Sequence, residues 1–249
     1  MTTVLIPARG GSKRVPLKNI QKLGGRPLVD WAIALSTESE VVTKTIVSTD
    51  SLDIIVKSQF LSKYCDEFTR APFGELIEIS ATFSIHKRRE QSATDHAKTY
   101  SVIKELMTHP QSISEQLLLL QPTSPFRTKE EINELLNFQT QVQARSVLSV
   151  KSITSPHPNK IFEIDEVGRI KMYKSEFESL TTPEQELPRL YAPDGAFYLA
   201  TKDFILKNKS LISEESACFV RTGQKTLNID SQADLNFAQY LIDSKSNII

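Results

Sequence analysis

Two spacings of apolar residues organise this chain. TVLIPA near the start is a continuous apolar run closing just before Gly10 and Gly11, which predicts a buried first strand. In PLVDWAIALSTES, starting at Pro27, Leu28, Trp31, Ala32 and Leu35 recur at helical spacing, so an amphipathic helix with proline in its first turn is predicted. TKTIVSTD predicts a second strand with a polar end. SLDIIVKSQFL predicts a helix capped by Asp50 or Ser51. Residues 63–90 are of mixed character. Beyond them TDHAKTYSVIKELM predicts a helix, residues 117–120 the most apolar strand, KEEINELLNFQ a helix and RSVLSVKSI a strand. Strand and helix alternate over roughly the first 150 residues, which predicts an α/β fold: a mostly parallel sheet with helices on both faces.

The alternation breaks over residues 154–192. Pro156, Pro158, Pro183 and Pro188 punctuate this stretch, Pro193 follows it, and KIFEIDEVGRIKMY predicts a hairpin around Gly168. GAFYLAT then predicts a strand, KDFILKN a short helix, and KTLNIDSQADLNFAQYLI a strand leading into a last helix. There is no internal repeat. The 249 residues suit one domain over 1–249, with 154–192 as an excursion serving as an active-site lid or a dimer contact.

Charge narrows the function. Lys plus Arg and Asp plus Glu both number 30, so no overall field draws nucleic acid or an acidic membrane, and any electrostatic function is local. No apolar run approaches the roughly 20 residues that span a bilayer. The opening residues meet charge too soon for a signal peptide. Cys65 and Cys218 have no metal-ligand spacing and are too few for a disulfide framework. The expectation is a cytoplasmic protein with neither nucleic-acid nor membrane partners.

The local charge lies in IPARGGSKRVPLKN. Arg9, Lys13, Arg14 and Lys18 crowd the loop after the first strand, with no acid among them. Parallel sheets bind ligands at the carboxyl ends of their strands. Gly10 and Gly11 let the backbone approach a bound group and present its N–H donors, and Pro16 stiffens the loop. This pattern suits a nucleoside triphosphate. Neither a Walker A string nor G-x-G-x-x-G is present, so the loop uses another geometry.

IPARGGSKRVPLKNI closely resembles the opening motif of the cytidylyltransferases that activate sialic acids and related nine-carbon keto-sugar acids. IVSTD, LLQPTSPFR, HPNK, LPRLYAPDGAFYLA and NIDSQADL resemble that family's later motifs, in the same order and over nearly the whole chain. The resemblance implies a Rossmann-like nucleotidyltransferase fold and a homodimer, with the excursion at the dimer contact. It also implies a Mg²⁺-dependent reaction of CTP with a keto-sugar acid to give a CMP-sugar and pyrophosphate. Carried over by motif position, Arg9, Ser12 and Lys13 would hold the β- and γ-phosphates, with Gly10 and Gly11 in the same CTP-binding loop, Lys18 the reacting α-phosphate, and Asn19 the ribose. Cytosine selection would fall to Arg88 or Arg89, spacing to Asp95 favouring Arg88. Gln121, Thr123, Lys160 and Tyr198 would contact the sugar acid, and Asp230 with Asn228 the metal. The bland readings are turn chemistry for Thr123, a solvated Lys160 and a core Tyr198. His157 beside two prolines reads as structural, and His86, His96 and His109 form no ligand pattern.

Three positions depart from the family pattern. Asn228 stands where the motif has aspartate, Glu184 and Glu186 lie in PEQELP where a basic residue is usual, and Asp194 replaces asparagine before Gly195-Ala196. Extra negative charge beside a keto-acid would repel it unless those carboxylates face another group. The acceptor expected is then other than plain sialic acid: one carrying an amine, or a legionaminic-, pseudaminic- or octulosonic-type acid. The alternatives are an octulosonate cytidylyltransferase and a non-catalytic nucleotide-binding regulator of the same fold.

Overall fold

The computed structural model describes residues 1–11, 15–93, 99–110, 112–153, 155–223 and 226–244. The first strand, β1 (Thr2–Pro7), is buried up to its last residue. A two-stranded ribbon, β2 (Lys22–Leu23) and β3 (Arg26–Pro27), leads into α1 (Leu28–Glu38). Leu28, Val29, Ala32, Ile33 and Leu35 form its buried face. Pro27 sits just ahead of it, where a missing N–H has no consequence. There follow β4 (Val42–Thr49), α2 (Leu52–Lys57), α3 (Cys65–Arg70), β5 (Leu76–Ser80), β6 (Phe83–Lys87), α4 (Glu90–Ala93) and α5 (Thr99–Leu106). Next come β7 (Gln116–Leu119), α6 (Lys129–Gln141) and β8 (Ser146–Ile153). The hairpin β9 (Phe162–Ile164) and β10 (Ile170–Met172) stands apart, and β11 (Leu190–Thr201), α7 (Lys202–Asn208), β12 (Ala217–Val220) and α8 (Gln232–Asp243) complete the chain.

Eight strands form one sheet in the order β12–β8–β11–β7–β1–β4–β6–β5. All run the same way except β11 and the edge strand β5, which are antiparallel to their neighbours. Alternate residues face opposite sides, and both sides are apolar. Val4, Ile6, Val47 and Leu118 pack with Ile33, Ile132 and Leu135 of α1 and α6. Leu5, Ile46, Leu117 and Leu119 pack with Val102, Ile103 and Leu106 of α5 and Phe204 and Ile205 of α7. From β1 the chain passes to β4 and β6 on one side, then returns to the other side of β1 as β7. The topological switch point therefore lies between β1 and β7. Among the described residues no helix is long and apolar enough to cross a membrane.

Several expectations need correction. Residues 63–90 are not merely mixed: they hold α3, β5 and β6, and β6 lies within the sheet beside β4. Buried Ser84 and His86 interrupt its apolar pattern. β12 was not expected; it is a four-residue strand at the sheet edge, too short for a pattern to establish itself. The strand expected before the last helix is absent among the described residues of 226–230, whose Ile229 N–H instead donates to Thr123 O at 2.7 Å. The excursion is shorter than expected, since Leu190, Tyr191 and Ala192 already pair with Ile153, Ser152 and Lys151. Ser51 precedes α2 but its side chain makes no capping bond. Residues 94–98 of the expected helix, with Asp95 and His96, lie outside the described residues.

A buried charge cluster ties the antiparallel strand into the sheet. Arg221, just past β12, donates Nη1 to Asp194 Oδ2 at 2.7 Å, Nε to Glu131 Oε1 at 3.0 Å and Nη2 to Phe126 O at 2.8 Å. Glu131 also closes the capping box of α6 with Thr128. Asp194 Oδ1 accepts from Ser149 Oγ and from Ala196 N–H. Removing the cation would strand two carboxylates in the interior. Arg221→Ala should therefore lower stability by about 3–5 kcal/mol, read from the urea midpoint at unchanged slope. A loss under about 1 kcal/mol would mean the cluster is not the brace described.

Candidate functional site

The loops leaving the carboxyl ends of β1, β4, β6 and β7 converge at the switch point. Ser48 O, near the end of β4, accepts Ala8 N–H at 2.8 Å and Arg88 Nη2 at 2.9 Å. That one carbonyl places Arg88 beside the start of the basic loop. Asp50 Oδ1 accepts Gly10 N–H at 3.0 Å, so the side chain expected to cap α2 instead anchors the loop. A Cβ on Gly10 would lie 2.8 Å from Ser51 Cβ, so only glycine permits this approach. Asn19, nine-tenths buried, closes the loop from its far end by donating Nδ2 to Arg9 O at 2.8 Å. Arg9 is half-buried and Gly11 exposed. Ser12 and Lys13 lie outside the described residues.

Lys18 crosses the crevice. Its Nζ donates to Ile229 O and to Asp230 Oδ1, both at 3.0 Å. Asn228 Nδ2 donates to the other Asp230 oxygen at 2.8 Å, and Asn228 Oδ1 accepts from Ser124 Oγ at 3.3 Å. The next residues begin α8, where Ser231 and Asp234 form a capping box. Four expected residues, Lys18, Thr123, Asn228 and Asp230, thus meet across the switch point. Gly195, at φ +79°, abuts the same place: a Cβ there would come 3.3 Å from Ser124 Oγ and 3.4 Å from Gln121 Oε1.

Arg88 and Arg89 are now distinguished. Arg88 is 4 % exposed and donates Nε to Ser48 Oγ at 3.2 Å. Burial pulls its pKa down to about 10, opposed by Asp50 and Glu105 and reinforced by Arg9, so it stays charged at neutral pH. Arg89 is largely exposed and lies against Glu105. Tyr198 is half-buried against the apolar cluster below the sheet, and burial, then Asp194, raises its phenol pKa. Lys160 sits apart in a turn of the excursion, its backbone N–H bonded to His157 O. His157 is structural: Nδ1 accepts Asn159 N–H at 3.1 Å and Nε2 donates to Pro188 O at 3.0 Å.

Sequence reading missed the parts that anchor the site. Asp50 and Ser48 stood in IVSTD, and His86 stands two residues before Arg88, on the same strand face. Arg127, in LLQPTSPFR, is buried; it donates Nη1 to Ala196 O at 2.9 Å, while Nε and Nη2 have no hydrogen-bond partner among the described residues. Burial, then Arg221, pulls its pKa down to about 9. Asp194, expected to repel an acidic substrate, is buried and neutralised by Arg221, while Glu184 and Glu186 are exposed in the excursion. Among the described residues no three His, Cys, Asp or Glu gather to hold a metal.

Residues 3–69 match a family model described as cytidylyltransferase. The chain is 31% identical to CMP-N,N'-diacetyllegionaminic acid synthase of Legionella pneumophila over 96% of this chain and 95% of that protein. It is 26% identical to pseudaminic acid cytidylyltransferase of Campylobacter jejuni, covering 95% of this chain and 94% of that one. N-acylneuraminate cytidylyltransferase of Streptococcus agalactiae is 27% identical over 98% of this chain, which spans about half of that longer protein, 55%. In fold the chain is similar to a CMP:2-keto-3-deoxy-manno-octonic acid synthetase solved in complex with CTP, with TM-score 0.60, 16% identity and coverage of 98% and 99%.

The Gly10 contact carries a prediction. Gly10→Ala should push the loop off Ser51 and weaken binding of inorganic triphosphate about tenfold, by calorimetry. Unchanged affinity would show that the loop holds no phosphate.

Proposed function

The chain belongs to the cytidylyltransferase family, and from that premise we propose that it transfers CMP from CTP to the anomeric hydroxyl of a sialic-acid-like keto-sugar acid. The hydroxyl oxygen forms a bond to the α-phosphorus, the bond to pyrophosphate breaks, and the hydroxyl proton is released. The observation that carries this reading is the Lys18 ammonium held between Ile229 O and Asp230 at the switch point, beside the glycine loop. A fixed cation at that place suits the charge that develops on a transferring phosphoryl group. Arg9 and the Gly10–Gly11 backbone are the proposed holders of the outer phosphates, Asn19 of the ribose and Arg88 of the cytosine. Gln121, Thr123, Lys160 and Tyr198 are the proposed contacts to the sugar acid. An octulosonate acceptor is the second reading, favoured by the fold likeness alone.

Mg²⁺ is proposed to rest on Asp230, whose carboxylate is partly exposed, with Asn228 beside it. One carboxylate fits this ion, which takes its remaining ligands from water and substrate phosphates. When bound it would offset phosphate charge. Asn228 suits a site with little metal of its own, because its Nδ2 can donate to Asp230 where a second carboxylate would repel it.

A homodimer is proposed through the excursion. Phe162, Ile164, Val167 and Ile170 of its hairpin are exposed, with Tyr173 and Phe177 next to them. Such a patch suits a second copy.

Release of pyrophosphate from CTP and Mg²⁺ with a panel of sialic, legionaminic, pseudaminic and octulosonic acids tests the reading. CTP binding with no release for any acid would point to a regulator. Lys18→Ala should cut kcat by about a hundredfold or more while the KM for CTP changes far less. Normal kcat with weaker CTP binding would place Lys18 elsewhere. Asn228→Asp should lower the Mg²⁺ concentration giving half-maximal rate, with little effect on the maximum. Superimposed titrations would remove Asn228 from the metal site. Ile164→Glu combined with Val167→Glu should yield a monomer that still binds CTP, and a dimer by light scattering would place the interface elsewhere.

A further inference from the structure

We infer that Ser48 and His86, hydrogen-bonded to each other and backed by the Glu105 carboxylate, form a buried chain that positions the Arg88 guanidinium for choosing the nucleotide base. The inference rests on the proposed reading of Arg88 as the cytosine contact.

The chain is built from neighbouring strands and one helix. Ser48 on β4 and His86 on β6 are register partners, and Arg88 follows His86 on the same face. Ser48 and His86 are fully buried, and the Glu105 side chain from α5 is 8 % exposed. Arg88 Nε lies 3.2 Å from Ser48 Oγ, Ser48 Oγ lies 2.9 Å from His86 Nδ1, and His86 Nε2 lies 3.5 Å from Glu105 Oε1.

These contacts admit one proton order. A guanidinium only donates, so Ser48 Oγ accepts from Arg88. The Glu105 carboxylate also only accepts, so the proton of the neutral imidazole sits on Nε2, facing it, and Nδ1 accepts from the serine hydroxyl. Burial lowers the His86 pKa to about 4 against the attraction of Glu105, which keeps the ring in the neutral form that this order requires. The last link is long for a hydrogen bond, and it is the electrostatic end of the chain. Glu105 is itself held by Ser92 Oγ at 2.8 Å and Arg89 N–H at 3.2 Å.

The chain fixes one edge of the guanidinium. Nε goes to Ser48 Oγ and Nη2 to Ser48 O, the carbonyl that also binds Ala8 N–H. This side-on fork sets the plane of the group relative to the start of the basic loop. A nucleophile reading of the same three residues fails, because the Ser48 hydroxyl is buried and faces Nδ1 with its other contact already an arginine. Simple packing would place apolar residues here, since buried polar groups between strands are costly, and His86 Nε2 has only its long contact to Glu105 among the described residues.

The test measures CTP, UTP and inorganic triphosphate binding by calorimetry, with thermal melting alongside, for Ser48→Ala, Glu105→Ala, Glu105→Gln and Arg88→Ala. Ser48→Ala and Glu105→Ala should each weaken CTP binding about tenfold and pull the CTP:UTP affinity ratio toward one, with triphosphate binding unchanged. Glu105→Gln, whose amide oxygen keeps a weaker negative end facing His86 Nε2–H, should restore part of the ratio. If Ser48→Ala melts below the assay temperature, Glu105→Ala decides on the same readouts. If Arg88→Ala alters the ratio while folded Ser48→Ala and Glu105→Ala do not, the chain is only structural and the inference falls while the reading of Arg88 stands. If Arg88→Ala itself leaves the ratio unchanged, that reading falls and the inference with it.

Discussion

One ammonium group joins the first motif of the sequence to the last. The Lys18 side chain is only 15 % exposed, so its charge needs partners within the protein, and it has them in Ile229 O and Asp230. The stretch around Ile229 cannot also serve a strand ladder: its carbonyl is given to Lys18 and its N–H to Thr123 O. That choice explains why an apolar run expected to be a strand is irregular. It also sets the width of the crevice, because the loop after β1, the turn after β7 and the start of α8 all meet at those few atoms. Asp230 N–H continues the link into the helix by donating to Asp234 Oδ2 at 3.0 Å.

The same economy governs the second charged assembly. Asp194 departs from the family pattern, and read alone it sets a negative charge near an acidic substrate. In the fold it faces inward, where Ser149, Ala196 and Arg221 satisfy its oxygens. Arg221 and Arg127 both lie over the Phe197 ring, at 5.2 and 6.0 Å from its centroid. Two arginines and two carboxylates, Asp194 and Glu131, balance one another behind the site. The departure at Asp194 therefore bears on how β11 is held and leaves the charge of the crevice to Lys18, Asp230 and the basic loop.

Much of this was legible in the sequence because it obeys simple periodicity. The run TVLIPA, the helical spacing of Leu28, Trp31, Ala32 and Leu35, and the four leucines ending in Leu120 each gave an element of the right kind in the right place. The α/β class and the sheet with helices on both faces followed from their order. The antiparallel sense of β11 was not legible, because strand direction is decided by pairing partners far away in the chain. Within the site, Lys18, Asn228 and Asp230 were found by motif and do meet. In sequence Asp50 reads as a local helix cap, and only the tertiary fold shows that its partner is Gly10, 40 residues earlier.

The failures of periodicity share one location. Residues 63–90 gave no clear pattern because β6 carries Ser84 and His86 where a strand inside a parallel sheet is ordinarily apolar. β4 loses its apolar run at Ser48 and Thr49, and β7 passes directly into Gln121 and Thr123. Most of these interruptions lie toward the carboxyl ends of parallel strands, around the switch point. A core position that gives up apolar burial for a hydrogen-bonded group weakens the local signal for a strand, and it does so where the fold presents groups to a ligand. The stretch hardest to read as structure is therefore the one that contributes Arg88. Its polar residues conflict with the strand pattern because they answer to a second constraint, the orientation of a buried cation beside the basic loop.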